Sequence, residues 1–236
     1  MQGTSPDTNL RRGTARWIIR NTVIVLLAAA CLFLTSGDLS WAMAWAYLGV
    51  LLASKVVIGL VLSRTNPELL AERGGTPKDI KAWDRPLAMA MALYGPALGW
   101  IVAGLDRRYG WSTAFPAGVQ VAALGVTALG GAVTLWAMAA NRFFLGFCRI
   151  ARERGHHVAT AGPYRYVRHP GYLGVILYQL VTPLALDSLW AFVPVALTIA
   201  LTVLRTSLED RTLQQELEGY AEYAGRVRYR LLPGLW

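Results

Sequence analysis

Apolar residues run through this chain in blocks that are long for the core of a soluble domain. Trp17 to Thr35, Trp41 to Leu62, Leu87 to Leu105 and Pro116 to Ala140 are each interrupted by few charges. Each block is close to the ~20 residues that a helix needs to cross a bilayer. Two shorter blocks, Tyr172–Leu186 and Leu189–Leu204, meet at Asp187-Ser188 and predict a tight, tilted helical hairpin. The pattern therefore predicts an all-α, polytopic integral membrane protein of about six helices, the last two a short hairpin.

The stretches between the blocks carry the punctuation. The polar start, residues 1–16 with Arg11, Arg12 and Arg16, is expected to be disordered or to lie on the membrane surface. A cleaved leader ending near Ala42-Met43-Ala44 competes with a retained first span. The retained span is favoured, because the next block is also membrane-embedded and needs an antiparallel partner. Lys55 falls inside the second block, where a snorkelling side chain is the simplest reading. Asn66-Pro67-Glu68 reads as a helix start, with a cap, a proline at the first position and an early acid. That short interfacial helix should run through Ala71 and break at Gly74-Gly75-Thr76-Pro77. Asp84-Arg85-Pro86 opens the third span, in which Gly95 and Gly99 have close-packing spacing and Pro96 predicts a kink. Asp106-Arg107-Arg108 reads as a short loop. Gly125, Gly130 and Gly131 lie within a hydrophobic helix pattern, so helix packing explains them better than a dinucleotide loop.

Composition agrees with a membrane protein. Of 236 residues, 55% are hydrophobic and 16% charged, against roughly 25% charged in soluble domains. Mean hydropathy is +0.38. The formal charge of +9 would suit a nucleic-acid partner in a soluble protein. Here the arginines sit mainly in alternate loops, so the charge reads as topology and no nucleic acid is expected. The basic segments are the N-terminal tail, residues 63–86, residues 141–169 and the C-terminal tail, whereas turns 36–40 and 187–188 carry no Lys or Arg. An N-in, C-in chain satisfies that count, with Arg107 and Arg108 a weak exception. Residues 1–140 form a basic tail and four helices, and residues 141–236 hold the candidate chemistry. Cys31 and Cys148 are expected to be free thiols. His156, His157 and His169 lack a zinc spacing, and no metal site is expected.

The motifs of other chemistries are missing: no Gly-x-Ser-x-Gly elbow, no H-E-x-x-H, no P-loop and no dinucleotide fingerprint. Two constellations remain. The first is the run Gly162–Gly174, preceded by His156-His157-Val158-Ala159. Gly162 and Pro163 impose a turn, Tyr164 and Tyr166 follow, and Arg168-His169-Pro170 leads into a helix start. Backbone N–H groups there suit a carboxylate, and tyrosine faces suit an adenine or a sulfonium. An interfacial anchor, with arginines on lipid phosphates and tyrosines in the aromatic belt, explains the run equally well. The second constellation is Arg205, Glu209 and Asp210. Arg205 and Glu209 share a helix face, either as an i,i+4 ion pair or as a pair that meets two ligand charges of opposite sign.

The run Gly162–Gly174, followed by Arg205-x-x-x-Glu209-Asp210-x-x-Leu213 and Tyr220-x-x-Tyr223, resembles the isoprenylcysteine carboxyl methyltransferase family. That family belongs to a group of membrane methyltransferases that includes phospholipid N-methyltransferases. Asn66–Arg73 and Trp83-Asp84-Arg85 look like a bacterial branch, which implies an inner-membrane location with the site facing the cytoplasm. The resemblance implies S-adenosyl-L-methionine as methyl donor, with His156, His157, Val158, Ala159, Tyr164, His169, Pro170, Gly171, Tyr172 and Glu209 as cofactor residues. Arg205 would contact the substrate and, with Glu209, form the catalytic pair. Arg149 stands where eukaryotic members often carry glutamine, Asp210 replaces the more usual glutamate, and Gly171 is smaller than many residues at its position. The implied partners are membrane lipids and a lipophilic or prenylated acceptor arriving from the bilayer. Carboxyl O-methylation leads, because a carboxylate is ionised at neutral pH and needs no general base. Phospholipid N-methylation is the alternative. A sterol-type reductase using NADPH shares the architecture, although the Arg205–Glu209 spacing looks like the methyltransferase version. A non-catalytic membrane scaffold is the remaining reading.

Overall fold

The computed structural model describes residues 6–77 and 79–236. Among these there are helices and connecting loops but no strand: α1 (Pro6–Ser36), α2 (Ala42–Thr65), α3 (Pro67–Gly74), α4 (Asp84–Tyr109), α5 (Ala117–Ala140), α6 (Pro170–Ala185), α7 (Phe192–Glu216) and α8 (Tyr220–Arg226). Among the described residues, α1, α2, α4, α5 and α7 are the helices long and apolar enough to cross a membrane. The protein is an all-α polytopic membrane protein. Helix α6 has 16 residues, about 24 Å at 1.5 Å per residue.

The spans alternate in direction. One end of the bundle therefore gathers the starts of α1, α4 and α6 with the ends of α2, α5 and α7. Outward side chains such as Leu26, Leu34, Val193 and Leu197 are exposed, as lipid-facing positions should be. The interior packs Leu32, Trp41, Tyr47, Trp100 and Leu186. There Trp100 Nε1 donates to the Tyr47 hydroxyl at 3.1 Å, which satisfies both polar tips in an apolar setting.

Small residues set the helix spacing. Helices α5 and α6 cross at Gly130 and Gly174: a Cβ on Gly174 would lie 2.3 Å from Thr134 Oγ1 and 2.6 Å from the Gly130 carbonyl. Gly130 thus packs as expected, and Gly131 lies beside Ser54, whereas Gly125 faces open space and packs against nothing. Gly95 fits against Thr198 of α7. The break in α4 falls just before Pro96, as a π turn over Ala90–Tyr94. The wider turn accommodates the carbonyl that proline cannot bond.

Several expectations change. The start of the chain is helical from Pro6 and continuous with the first span, and its opening turns pack on α3. A Cβ on Gly13 would lie 2.7 Å from the Ala71 Cβ, and that close contact extends the helix beyond the apolar block. Residues 1–5 lie outside the described residues. Asn66 does cap α3, accepting from Leu69 N at 3.1 Å, and that helix continues past Ala71 to Gly74. Asp106-Arg107-Arg108 is the last turn of α4, not a loop. Asp106 is buried there and accepts from Ser112 N (2.8 Å), Ser112 Oγ (2.6 Å) and Ser188 Oγ (2.5 Å). Those bonds tie α4 to the α6–α7 turn at the end of the bundle opposite the candidate site. Cys31 and Cys148 are free thiols.

Candidate active site

Three local groupings assemble at the end where α4 and α6 begin and α7 ends. The first surrounds Arg205. Its Nε donates to Asp84 Oδ1 at 2.6 Å and its Nη2 to Asp84 Oδ2 at 3.1 Å, a bidentate pair with Asp84 fully buried. Nη2 also reaches the Gly146 carbonyl at 3.0 Å, and Cys148 N donates to Asp84 Oδ2 at 2.7 Å. Asp84 thereby joins the first turn of α4, the middle of α7 and the loop after α5. The i,i+4 pair with Glu209 does not form. A planar fork matched to a buried carboxylate outcompetes a solvated partner one turn away, because the burial leaves water no share in either charge.

Glu209 instead accepts a hydrogen bond from the Tyr172 hydroxyl. The guanidinium of Arg205 lies over the Tyr172 ring, 5.4 Å from its centroid. Glu209 is half-buried and has no basic partner in ion-pair range among the described residues. Beside it the Cys148 thiol is pushed up by burial and by the charges of Glu209 and Asp84, so it stays protonated and is no nucleophile.

The second grouping centres on Asp210, which is fully buried. Arg168 holds it from Nε (2.7 Å) and Nη2 (2.9 Å), and Arg230 Nε donates at 2.9 Å. The Tyr220 hydroxyl (3.0 Å), Gln214 Nε2 (2.8 Å) and His169 Nε2 (3.2 Å) complete the shell. Arg168 also donates from Nη1 to the carbonyls of Val227 (2.7 Å) and Arg228 (2.8 Å), and the backbone N–H groups of Arg168 and His169 reach the Tyr229 and Arg230 carbonyls. Asp210 thus fastens the helix-start motif to the C-terminal tail. Burial and the Asp210 charge push the Tyr220 hydroxyl well above its ordinary value.

The third grouping is aromatic. His156 stacks on Phe143 with centroids 4.4 Å apart, and His157 meets the same ring edge-on at 5.0 Å. Burial, with His157, Arg149 and Arg154 nearby, lowers the His156 imidazole from 6.5 to about 4. Val158 and Ala159 pack with Tyr164, Leu217, Tyr220 and Tyr223. The Tyr164 hydroxyl accepts from Asn141 Nδ2 at 3.3 Å, and its carbonyl accepts from the Tyr223 hydroxyl at 2.7 Å. Pro170 and Gly171 are buried. A Cβ on Gly171 would stand 2.3 Å from the Phe144 ring, which is why this position takes glycine here. At the start of α6, the N–H groups of Tyr172 and Leu173 already donate to the His169 carbonyl. That leaves the helix terminus less able to hold an outside carboxylate than the sequence implies.

The segment that contains most of these groups also matches a known family. Residues 123–215 fit the isoprenylcysteine carboxyl methyltransferase (ICMT) family. Over that region the chain is similar to the ICMT family. With the apolar spans, that similarity supports a membrane methyltransferase. No curated protein matches the chain. The ICMT match runs from within α5 to near the end of α7 and includes His169, Tyr172, Arg205, Glu209 and Asp210. It does not include Asp84, Tyr220 or Arg230, the residues that hold Arg205 and Asp210 in place. Sequence reasoning missed Asp84 as a site residue. The only local signal was an acid at a helix start, where the N-terminal dipole accounts for it without any distant partner.

Proposed function

We propose that this protein is an ICMT-type methyltransferase, which uses S-adenosyl-L-methionine to methylate the carboxylate of a lipophilic, isoprenylcysteine-like acceptor. The observation that carries the reading is Glu209, a half-buried carboxylate oriented by Tyr172 and left without a cation because Arg205 is committed to Asp84. A ligand ammonium is the group such a carboxylate fits. The buried Nε of Arg149, which has no hydrogen-bond partner, fits the ligand carboxylate. The Phe143, His156 and His157 rings suit an adenine face. Bound there, S-adenosyl-L-methionine would supply an electrophilic methyl group on a sulfonium.

The residues present do the positioning. Glu209 and Arg149 fix the two ends of the amino acid moiety. Tyr172 orients Glu209 and presents its ring beside Arg205. Nη1 of Arg205, which donates to none of the described residues, is free to meet the acceptor carboxylate. Holding nucleophile and methyl in line supplies much of the acceleration in such a displacement. His169 Nε2 is committed to Asp210, so the site offers little general base, which favours a carboxylate over an amine acceptor. Residues 141–236 act as the cofactor-binding part, and residues 1–140 contribute Asp84 and a bilayer path for the acceptor. We further propose that the protein sits in a bacterial inner membrane with the site facing the cytoplasm.

The test is calorimetric binding of S-adenosyl-L-methionine to the full chain in detergent, followed by incubation with labelled donor and a prenylated thioether carboxylate. Binding that is lost in Glu209→Gln, and label released by mild base as from an ester, are expected. Base-stable label in a lipid amine would assign N-methylation instead. Binding of NADPH alone would assign a reductase.

A further inference from the structure

Three basic side chains meet where α1, α2 and α3 come together, away from the candidate active site. Arg20 of α1 donates from Nη2 to the Arg73 carbonyl at the end of α3. Arg73 donates from Nη1 to the Phe144 carbonyl at 2.9 Å, and its guanidinium lies over the Phe144 ring, 5.3 Å from the centroid. Its Nε is buried without a hydrogen-bond partner. The charges that act on the Lys55 ammonium are those of Arg73 and Arg20, with no carboxylate among them. Among the described residues Lys55 makes no hydrogen bond or ion pair. The acids of α3 do not help, since Glu68 and Glu72 both face Arg154, at 3.5 and 2.5 Å.

Snorkelling accounts for one lysine within a span. It does not account for three cations drawn together, one of them with a desolvated, unpaired donor. Like charges brought into a partly buried site raise the free energy of the fold unless an anion joins them. Burial and the Arg20 charge lower the Arg73 guanidinium from 12.5 to about 10, as expected for a cation lacking a counter-ion. The cluster is reachable from outside the bundle, with Arg20 exposed and Lys55 and Arg73 half-buried. Trp17 closes one side, its ring 3.0 Å from where a Cβ on Gly59 would lie.

From this convergence we infer that Arg20, Lys55 and Arg73 form a binding site for a phosphate group, carried by an anionic membrane lipid or free in solution. Three cationic side chains around one oxyanion give charge-assisted donors to its oxygens. The site also has a structural consequence. The Phe144 ring under Arg73 is the one that Gly171 must leave room for, so a bound phosphate ties α1, α2 and α3 to the first turn of α6 and thus to the candidate active site.

The experiment uses the full chain, delipidated in neutral detergent, with melting temperature and native mass spectrometry as readouts. The probes are phosphatidylglycerol, phosphatidylcholine and inorganic phosphate. Phosphatidylglycerol is expected to raise the melting temperature and remain bound in the spectrometer, and phosphatidylcholine to do neither. Protection by phosphatidylglycerol alone assigns the site to a lipid headgroup; equal protection by inorganic phosphate assigns it to a soluble phosphate. Lys55→Gln should weaken the effective anion about fivefold while leaving the delipidated protein at least as stable, since it relieves like-charge repulsion. Arg20→Gln, at an exposed side chain, repeats the test independently. The inference is overturned if neither phosphate probe protects the wild type, or if both variants respond to the probes as the wild type does.

Discussion

Arg205 reaches across the bundle to Asp84 and leaves Glu209, one turn further along its own helix, to Tyr172. The pairing joins a residue outside the ICMT match to one inside it and fixes the N-terminal helices to the candidate site. It also explains how two opposite charges at i,i+4 spacing remain apart. A buried bidentate pair keeps its geometry only while both partners are present. Asp84→Ala and Arg205→Leu should each destabilise the protein by about 3–5 kcal/mol, because each strands a buried charge. The double variant should lose much less than the sum of the two. Thermal unfolding in detergent measures the difference, and simple additivity would show that the two residues do not act together.

Glu209→Gln keeps the shape of the side chain and removes the charge. Loss of one charged hydrogen bond to a ligand ammonium corresponds to about 1.5–3 kcal/mol, or roughly 10- to 150-fold weaker binding of S-adenosyl-L-methionine. Tyr172→Phe, which removes the hydroxyl that orients Glu209, should weaken binding less. Neither variant should change the melting temperature of the ligand-free protein greatly. Isothermal titration and a melting curve on the same preparation separate a lost ligand contact from a lost fold.

Asp210 holds the C-terminal tail through Arg230 and through Arg168, whose own donors reach the Val227 and Arg228 carbonyls. Asp210→Asn should therefore release the tail before the rest of the bundle. Limited proteolysis is expected to cut after residue 226 in the variant under conditions that leave the wild type intact. Arg168→Lys should behave in the same way, because a lysine cannot supply both the carboxylate fork and the two carbonyl bonds. A tail that resists cleavage in both variants would place its anchor elsewhere.

Gly174 of α6 and Gly125 of α5 make a paired test of packing. Gly174→Ala would place a methyl 2.3 Å from Thr134 Oγ1 and 2.6 Å from the Gly130 backbone. It should cost about 1–3 kcal/mol or more. Gly125 has open space around it, so Gly125→Ala should stabilise the helix by about 0.5–1 kcal/mol. Opposite shifts in melting temperature are expected from the same chemical change.

The low value of His156, about 4 against an ordinary 6.5, sets a pH dependence. Above pH 6.5 the ring is neutral folded or unfolded and has no effect. As pH falls from about 6.5 to about 4 the unfolded chain binds a proton that the folded site refuses, so stability declines across that window and levels off below it. His156→Gln, whose amide can still accept from Ala151 N, should flatten that part of the curve. Melting temperatures of both proteins between pH 4 and pH 8 provide the comparison.

Local features were legible in the chain. The Asn66 cap, the first-turn Pro67 and the Gly74-Gly75 break lie within a few residues of the backbone groups they serve, and the long apolar blocks became α1, α2, α4 and α5. The shorter block Leu189–Leu204 became α7, whose 25 residues are enough to cross a membrane and not half of a short hairpin. The motif run Gly162–Gly174 and the pair Arg205 and Glu209 could be named because their residue types and spacing are unusual in a membrane protein. The extension of the first helix to Pro6 was not legible, since its polar turns are held by α3 rather than by propensity. Gly125 and Gly130 look alike in sequence and differ only in what stands opposite.

The sequence by itself determined the class of the protein, the approximate course of its apolar helices, and which residues had chemistry to offer, because those depend on hydropathy, backbone restriction and residue type. Only the tertiary structure decided who pairs with whom. Arg205 went to Asp84, His169 to Asp210 and Tyr172 to Glu209, and three cations met at Arg73. The physical reason is that a buried charge is settled by the partners within a few ångströms once water is excluded, and those partners come from helices far apart in the chain.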